Sequence, residues 1–211
     1  MANWLNTTFA GFDGAIFKAV SGMASEFMNK LCSFISFFGE KGWLTLFVGL
    51  IFTLFAKTRK AGFAMLFAYM VGALFTNIIL KEAVARPRPY TQLENMSYWL
   101  KAGATVESEF SFPSGHTTAI TAGAVAIFLS FNKKWSFLPL IFAFVMGFTR
   151  VYLVVHYPTD VIAGFIVGTV GGICGYFISK GVMNFAKKRE QSKFFAFIVN
   201  ADIKNLFKKK K

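Results

Sequence analysis

The chain has 211 residues, 55% of them hydrophobic and 28 of them phenylalanine, with a formal net charge of +13. That length bounds it to one domain, and apolar residues gathered in blocks rather than amphipathic stripes exclude an ordinary water-soluble globule. The positive charge does not argue for nucleic acid, because nine of the lysines and arginines crowd into residues 187–211, against Glu190 and Asp202 alone.

In chain order, residues 1–40 are apolar but interrupted by Asp13, Lys18, Glu26 and Lys30. They fit either one tilted span or helices lying in the membrane interface. They lack a basic n-region followed by a compact apolar core and a small-residue cleavage site, so no signal peptide is expected. Five apolar blocks follow, at residues 43–56, 61–80, 117–131, 135–154 and 161–178. At about 1.5 Å per residue, most reach across much or all of a hydrocarbon core about 30 Å thick. The first is short unless it begins upstream, near Phe37. The expectation is an all-α integral membrane bundle of about six transmembrane helices, the N-terminal one undecided. Residues 1–186 form the membrane-embedded domain and residues 187–211 a basic tail.

Lys57, Arg59 and Lys60 lie between the first two blocks, Lys133 and Lys134 between the third and fourth, and Lys187, Lys188 and Arg189 after the last. A positive-inside bias makes these three groups cytoplasmic. Residues 81–116 and 155–160 then face outward, and with them both histidines of the chain, His116 and His156. The outward loop contains "ENMSYWL" at residues 94–100, a short helix by pattern, with Tyr98 and Trp99 suited to the interface. Asn6 and Asn95 begin glycosylation sequons, too frequent a match to carry weight. Gly164, Gly168, Gly171, Gly172 and Gly175 form a small-residue stripe for close helix packing. In the tail, "FFAFIV" at residues 194–199 sits among lysines. That pattern fits a segment lying on anionic headgroups, and a solvated tail equally well. Cys32 and Cys174 stand alone in apolar segments, so neither a disulfide nor a metal site is expected from them.

The polar residues of the outward face fall into three stretches. "SFPSGHTT", residues 111–118, sets His116 at the mouth of an apolar helix, behind Ser114 and Gly115. Those two offer a hydroxyl and backbone N–H groups to an anion, or simply cap the helix. "TRVYLVVHYPTD", residues 149–160, holds Arg150, His156 and Asp160. A carboxylate accepting from one imidazole nitrogen leaves the other free as nucleophile or base. "KEAVARPRPY", residues 81–90, contributes Lys81, Arg86 and Arg88; the whole chain has only five arginines, and three lie in these stretches. Arginine suits multidentate recognition of phosphate oxygens, and lysine serves as a point charge. Taken singly, a span-end cation is more often a snorkelling anchor and a Ser-Gly a cap. Together on one face, they point to phosphoryl transfer without a metal.

Lys81-x6-Arg88-Pro89, Pro113-Ser114-Gly115-His116 and Arg150-x5-His156-x3-Asp160 resemble the three-part signature of the type 2 phosphatidic acid phosphatase family. The wider superfamily includes bacterial acid phosphatases and vanadium haloperoxidases. The match runs in order through residues 81–160; Thr149 stands where the family often has serine, and Arg86 is a rival to Arg88 that the family spacing passes over. The resemblance implies a helical bundle in which His156 attacks phosphorus and Asp160 orients it. His116 protonates the leaving oxygen and then activates water. Lys81, Arg88, Ser114, Gly115 and Arg150 hold the phosphate oxygens. It implies no cofactor and no metal.

A site at the outer end of a membrane bundle suits a lipid whose phosphate lies at headgroup level. The resemblance makes undecaprenyl diphosphate, phosphatidylglycerol phosphate and phosphatidic acid the expected substrate classes; lipid A phosphates and soluble esters stay open. A non-catalytic lipid-phosphate binder or transporter is the alternative. It would need the cations but neither histidine. A scaffold held by its tail would leave the three motifs unexplained.

Overall fold

The bundle is organised around its last long helix. The computed structural model describes residues 1–92, 106–131 and 134–206, and the 94–100 helix expected above, with Tyr98 and Trp99, lies outside them, as do Lys133 and the last lysines of the tail. The helices are α1 (Ala2–Thr8), α2 (Ala10–Ser21), α3 (Glu26–Phe37), α4 (Trp43–Thr53), α5 (Arg59–Ala73), α6 (Lys81–Val84), α7 (Pro89–Gln92), α8 (Gly115–Ser130), α9 (Leu138–Tyr152), α10 (Pro158–Lys188) and α11 (Lys193–Asn200). Among the described residues there is no strand.

All five apolar blocks are helical, which agrees with the expected all-α architecture. Three segments are long and apolar enough to cross a membrane: Glu26–Thr53, Arg59–Gln92 and Pro158–Lys188, while α8 and α9 are shorter apolar helices. The first block begins well upstream of Phe37. A turn at Glu40–Gly42 joins α3 to α4, with Lys41 and Gly42 in the left-handed region at φ 46° and 69°. Glycine takes that conformation without the Cβ clash that penalises other residues. Helices α1 and α2 have 7 and 12 residues, and 12 residues rise only about 18 Å, too little to span. The undecided N-terminal segment is therefore divided. Its first part packs on the bundle and its second part enters a long apolar segment.

The glycine stripe of α10 works as expected. A Cβ at Gly168 would lie 2.6 Å from Thr121 Cβ, and one at Gly175 would lie 2.4 Å from Ala68 N. Only glycine permits backbones that close. The pairings also give direction. Gly164, Gly168 and Gly172 meet Thr117, Thr121 and Val125 in ascending order, so α8 runs parallel to α10; Gly171 and Gly175 meet Gly72 and Ala68 in descending order, so α5 runs antiparallel. The end of α5 and the starts of α8 and α10 therefore converge at one end of the bundle. These are the places where the three motifs sit.

Around this core, large apolar side chains face outward, among them Phe34, Phe47, Met70, Ile78, Phe144, Ile166 and Phe177. In water such a surface would be untenable; in hydrocarbon it is the solvent-facing surface a bundle needs. At the motif end, Phe17 and Val20 of α2 and Cys32 of α3 pack into one cluster with Val151, Tyr152, Leu153, Val154, Val155 and Tyr157. This cluster clamps the short connection that carries His156.

Candidate active site

Three chain reversals deliver the polar groups. After α5 the helix widens into a π-turn, Leu74–Leu80, which leads directly into Lys81 at the start of α6. Ala85 then leaves the helix at φ 50° and turns the chain so that Arg86 and Arg88 point inward, both buried. Between α9 and α10, Val154 takes φ 55°, and the N–H groups of Val155 and His156 both donate to Arg150 O at 3.3 Å. A β-branched residue in that region is strained, so the packing around the loop must hold it there. Ser114 caps α8: its Oγ accepts from Thr117 N at 3.4 Å and from Thr117 Oγ1 at 2.9 Å.

The catalytic pair expected from the sequence comes together around His156, which is 1% exposed. Its Nε2 lies 2.9 Å from Arg88 Nη1. Guanidinium nitrogens only donate, so Nε2 presents its lone pair and Nδ1 carries the proton in the neutral ring. That proton faces Asp160, whose Oδ2 is 3.6 Å from Nδ1. The distance is an ion-pair spacing rather than a direct hydrogen bond. Ser111 Oγ lies beside them, donating to Asp160 Oδ2 and standing 3.5 Å from Nδ1. Asp160 Oδ2 also accepts from Tyr157 N at 2.9 Å. Burial pushes the His156 imidazole well below its ordinary range, and Arg88 and Arg150 push it further. The neutral form is thus favoured near neutral pH.

Asp160 is held from behind by a charge network that sequence reasoning missed. Arg86 Nη1 donates to Asp160 Oδ1 at 2.6 Å and to Thr159 Oγ1 at 2.7 Å, Arg86 Nη2 to Asp13 Oδ2 at 2.9 Å, and Arg86 Nε to Asn6 Oδ1 at 2.8 Å. Its guanidinium carbon stacks 3.6 Å from the centre of the Tyr157 ring. Asp13 in turn accepts from Thr159 N at 3.0 Å, in the first turn of α10. So the two arginines of "RPRP" divide the work: Arg88 faces His156, and Arg86 is buried between two aspartates. The available signal was Asp13 itself, a lone acid in an apolar helix, which must find a cation when buried.

His116, Lys81, Gly115, Arg150 and His156 line one cavity of about 700 Å³. Gly115 opens α8, and a Cβ there would meet only Asn77 Oδ1, at 3.8 Å; the first-turn amides of a helix have no intrahelical acceptor. Gly39 backs the ring of His116 so closely that a Cβ would lie 2.8 Å from His116 Cδ2. Ser114 is fully buried, its Oγ engaged as the cap. Lys81, Arg88 and Arg150 are all paired, while Lys41, also in the lining, has no ion pair among the described residues. Glu107, 24% exposed in its side chain, bridges Arg88 Nη2 at 2.8 Å and Arg150 Nη2, while Glu109 pairs with Lys81. Arg150 Nη1 also donates to Ser36 Oγ. Burial opposes ionisation of Glu107, yet Arg150 and Arg88 outweigh it and hold the carboxyl below its ordinary range. A planar oxyanion thus already sits between the arginines, where a phosphate would fit. Glu107 and Glu109 were not among the expected site residues. No three His, Cys, Asp or Glu side chains gather as a metal-binding group among the described residues.

Comparison with known proteins identifies the family. The family model of the PAP2 superfamily matches residues 44–184. The undecaprenyl-diphosphatase of Sulfolobus acidocaldarius is 32% identical over 160 residues, covering 75% of this chain and 74% of that protein. Phosphatidylglycerophosphatase B of Bacillus subtilis is 31% identical over 191 residues, covering 85% and 87%. The crystal structure of a transmembrane PAP2-type phosphatidylglycerolphosphate phosphatase from Bacillus subtilis superposes with a TM-score of 0.63, at 27% identity, over 89% of each chain. Signature, fold and relatives agree: the chain belongs to the PAP2 superfamily.

Proposed function

We propose that this membrane lipid phosphatase removes a phosphate from a lipid monoester or diphosphate through a phosphohistidine at His156. The observation that carries the reading is the placement of that ring: buried, its Nε2 against Arg88 and its Nδ1 toward Asp160. In the first step the bond from Nε2 to phosphorus forms as the bond from phosphorus to the leaving oxygen breaks. His116 gives its proton to that oxygen, and Asp160 balances the charge left on His156. In the second step His116 takes a proton from water. The resulting hydroxide attacks phosphorus, the P–N bond breaks, and neutral His156 and phosphate are released. Lys81, Arg88, Arg150 and the Gly115 amide hold the equatorial oxygens, with Ser114 holding the start of α8 in place. Such preorganised donors are the largest contribution to phosphoryl transfer. Glu107 and Glu109 leave the cations as the substrate phosphate arrives.

The cavity supports a lipid substrate, because its lining continues from the cations onto Phe37, Tyr69, Ala73 and Ala119. Relatives named for undecaprenyl diphosphate and phosphatidylglycerophosphate make these the first substrates to test. Phosphate release from a panel of lipid phosphates by the purified protein, with and without EDTA, tests the activity. Turnover on none of them, or turnover on soluble esters alone, overturns the lipid reading; loss with EDTA overturns the metal-free chemistry.

The site belongs on the extracytoplasmic face and the 187–211 tail in the cytoplasm, by the loop-charge bias. In a chain with Cys32 and Cys174 replaced by alanine, Gln92→Cys reacts with an impermeant thiol reagent in intact cells and Gln191→Cys only after lysis. The reverse pattern moves the site to the cytoplasm.

A further inference from the structure

At the end of the bundle remote from His156, a second cavity of about 380 Å³ opens between the start of α5, the last turns of α10 and the end of α11. Lys60, Lys180, Lys187 and Asn184 supply its polar lining, with Met183 and Val199 as apolar wall. Three cations converge here with no carboxylate in ion-pair range among the described residues. The two acids of this end are both hydrogen-bonded, Asp202 to Ala56 at the cavity's edge. Glu190 accepts from Asn200 Nδ2 at 2.6 Å, and Asp202 accepts from Ala56 N at 3.2 Å and Lys204 N at 2.9 Å. Lys60 Nζ lies over the face of Tyr176, 4.7 Å from the ring centre.

The wall formed by α11 is not a loose tail. Buried Arg59 donates to the carbonyls of Val199 and Ala201, and Ile203 N donates to Leu54 O at 3.1 Å. The cavity is thus a fixed feature of the fold, with three like charges awaiting an anion. On the two helices that wall it, Phe185 of α10 and Phe194 and Phe197 of α11 are 48, 65 and 71% exposed. Cations in the cavity and exposed apolar rings on the same helices match a phosphate whose own chains lie in hydrocarbon.

We propose that this cavity binds the phosphate of an anionic phospholipid headgroup, with its acyl chains against the exposed rings of Phe185, Phe194 and Phe197. A free phosphate ion offers the same charge but no chains, and the exposed rings are what favours the lipid. The site lies apart from the catalytic cavity and does not depend on the reaction assigned there.

The test is thermal unfolding of the full-length protein in uncharged detergent, titrated with dioctanoyl phosphatidylglycerol, dioctanoyl phosphatidylcholine or inorganic phosphate. The expected result is a saturable rise in Tm with phosphatidylglycerol alone, because a ligand that binds only the folded state stabilises it by mass action. Lys60→Gln/Lys180→Gln/Lys187→Gln should weaken that half-saturation by at least about ten-fold, since each surface cation contributes measurably to headgroup binding. Lys188→Gln/Lys193→Gln/Lys204→Gln, which removes equal charge outside the cavity, should leave it within about two-fold. Basal turnover equal to wild type in both triple variants certifies that they are folded. Equal loss in the two variants would reduce the effect to diffuse charge and overturn the site. So would an equal shift with inorganic phosphate or phosphatidylcholine, or no shift with phosphatidylglycerol. If the cavity triple fails to fold, Lys180→Gln alone must still weaken half-saturation relative to Lys188→Gln, and equality of those two overturns the proposal.

Discussion

Both ends of this bundle are rich in cations, yet they are built on opposite principles. At the His156 end four cations are buried and each is met by a carboxylate: Lys81 by Glu109, Arg86 by Asp13 and Asp160, Arg88 and Arg150 by Glu107. At the other end Lys60, Lys180 and Lys187 line an open cavity with no carboxylate partner among the described residues. Burial explains the difference. An unpaired buried charge is costly, so it must be neutralised by the protein until a substrate replaces the partner. An exposed lysine keeps its water and needs no partner to be stable. The buried end can therefore discriminate geometry and do chemistry, whereas the exposed end can only attract charge.

The sharpest way to break this contrast is to remove the nucleophile. His156→Ala should lower turnover by at least about 10⁴-fold, as loss of a nucleophile does elsewhere, and should abolish any acid-labile, base-stable phosphate label on the protein. His116→Ala should still acquire the label slowly from a substrate with a good leaving group. Label retained in His156→Ala would reassign the nucleophile.

Next comes a comparison of one residue with a whole segment. Arg150→Ala should cost about 10²- to 10³-fold in kcat/KM, the loss typical of an oxyanion donor. Deleting residues 187–211 removes far more charge, but from the opposite end. Turnover in detergent should stay within a few-fold, while the Tm falls because Arg59 loses its Val199 and Ala201 acceptors, a buried-donor penalty of about 1–3 kcal/mol. A tail deletion more damaging to turnover than Arg150→Ala would put the chemistry at the wrong end.

Asp13→Asn should act through stability. It leaves Arg86 with one fewer carboxylate in a site 1% exposed on the arginine side, and breaking a buried pair costs about 3 kcal/mol or more. The expected outcome is a lower Tm together with a fall in kcat through misplacement of Asp160. An unchanged Tm would mean that α2 does not brace the site.

A smaller effect tests the electrostatics of the cavity. His156 is held below the ordinary imidazole range, so its active neutral form exists above that lowered pKa and is lost as pH falls through it. The Glu107 carboxylate opposes this lowering. Glu107→Gln should therefore move the acid limb of kcat/KM to still lower pH, and vanadate should inhibit more tightly because Arg88 and Arg150 lose their resident anion. A limb moving to higher pH would contradict the charge arrangement. The smallest change is Ala85→Gly. Ala85 is exposed at φ 50°, and relief of the left-handed penalty, less glycine's entropy, should stabilise by about 0.5 kcal/mol, read as a small rise in Tm with turnover unchanged.

Much of this molecule is written locally. The apolar blocks announce membrane helices because lipid forces every backbone group to be satisfied within the helix, and all five blocks are helical. The α10 glycines announce close packing because nothing larger fits. The spacing of three motifs at helix ends put His116, His156, Asp160, Lys81, Arg88 and Arg150 on one face, and the structure gathers them: four line one cavity, and Arg88 and Asp160 stand against His156. Tertiary structure alone decided what occupies the space between them. Nothing local in α2 says that Asp13 crosses to Arg86 and Thr159, nor that Glu107 lies between two arginines, nor that α11 folds back to Arg59. Each is a pairing across 19 or more residues, created when packing buries a charge and its partner must come from whichever segment the fold brings near. Helix period and motif spacing carry local geometry, but the neutralisation of buried charge is settled only by the assembled bundle.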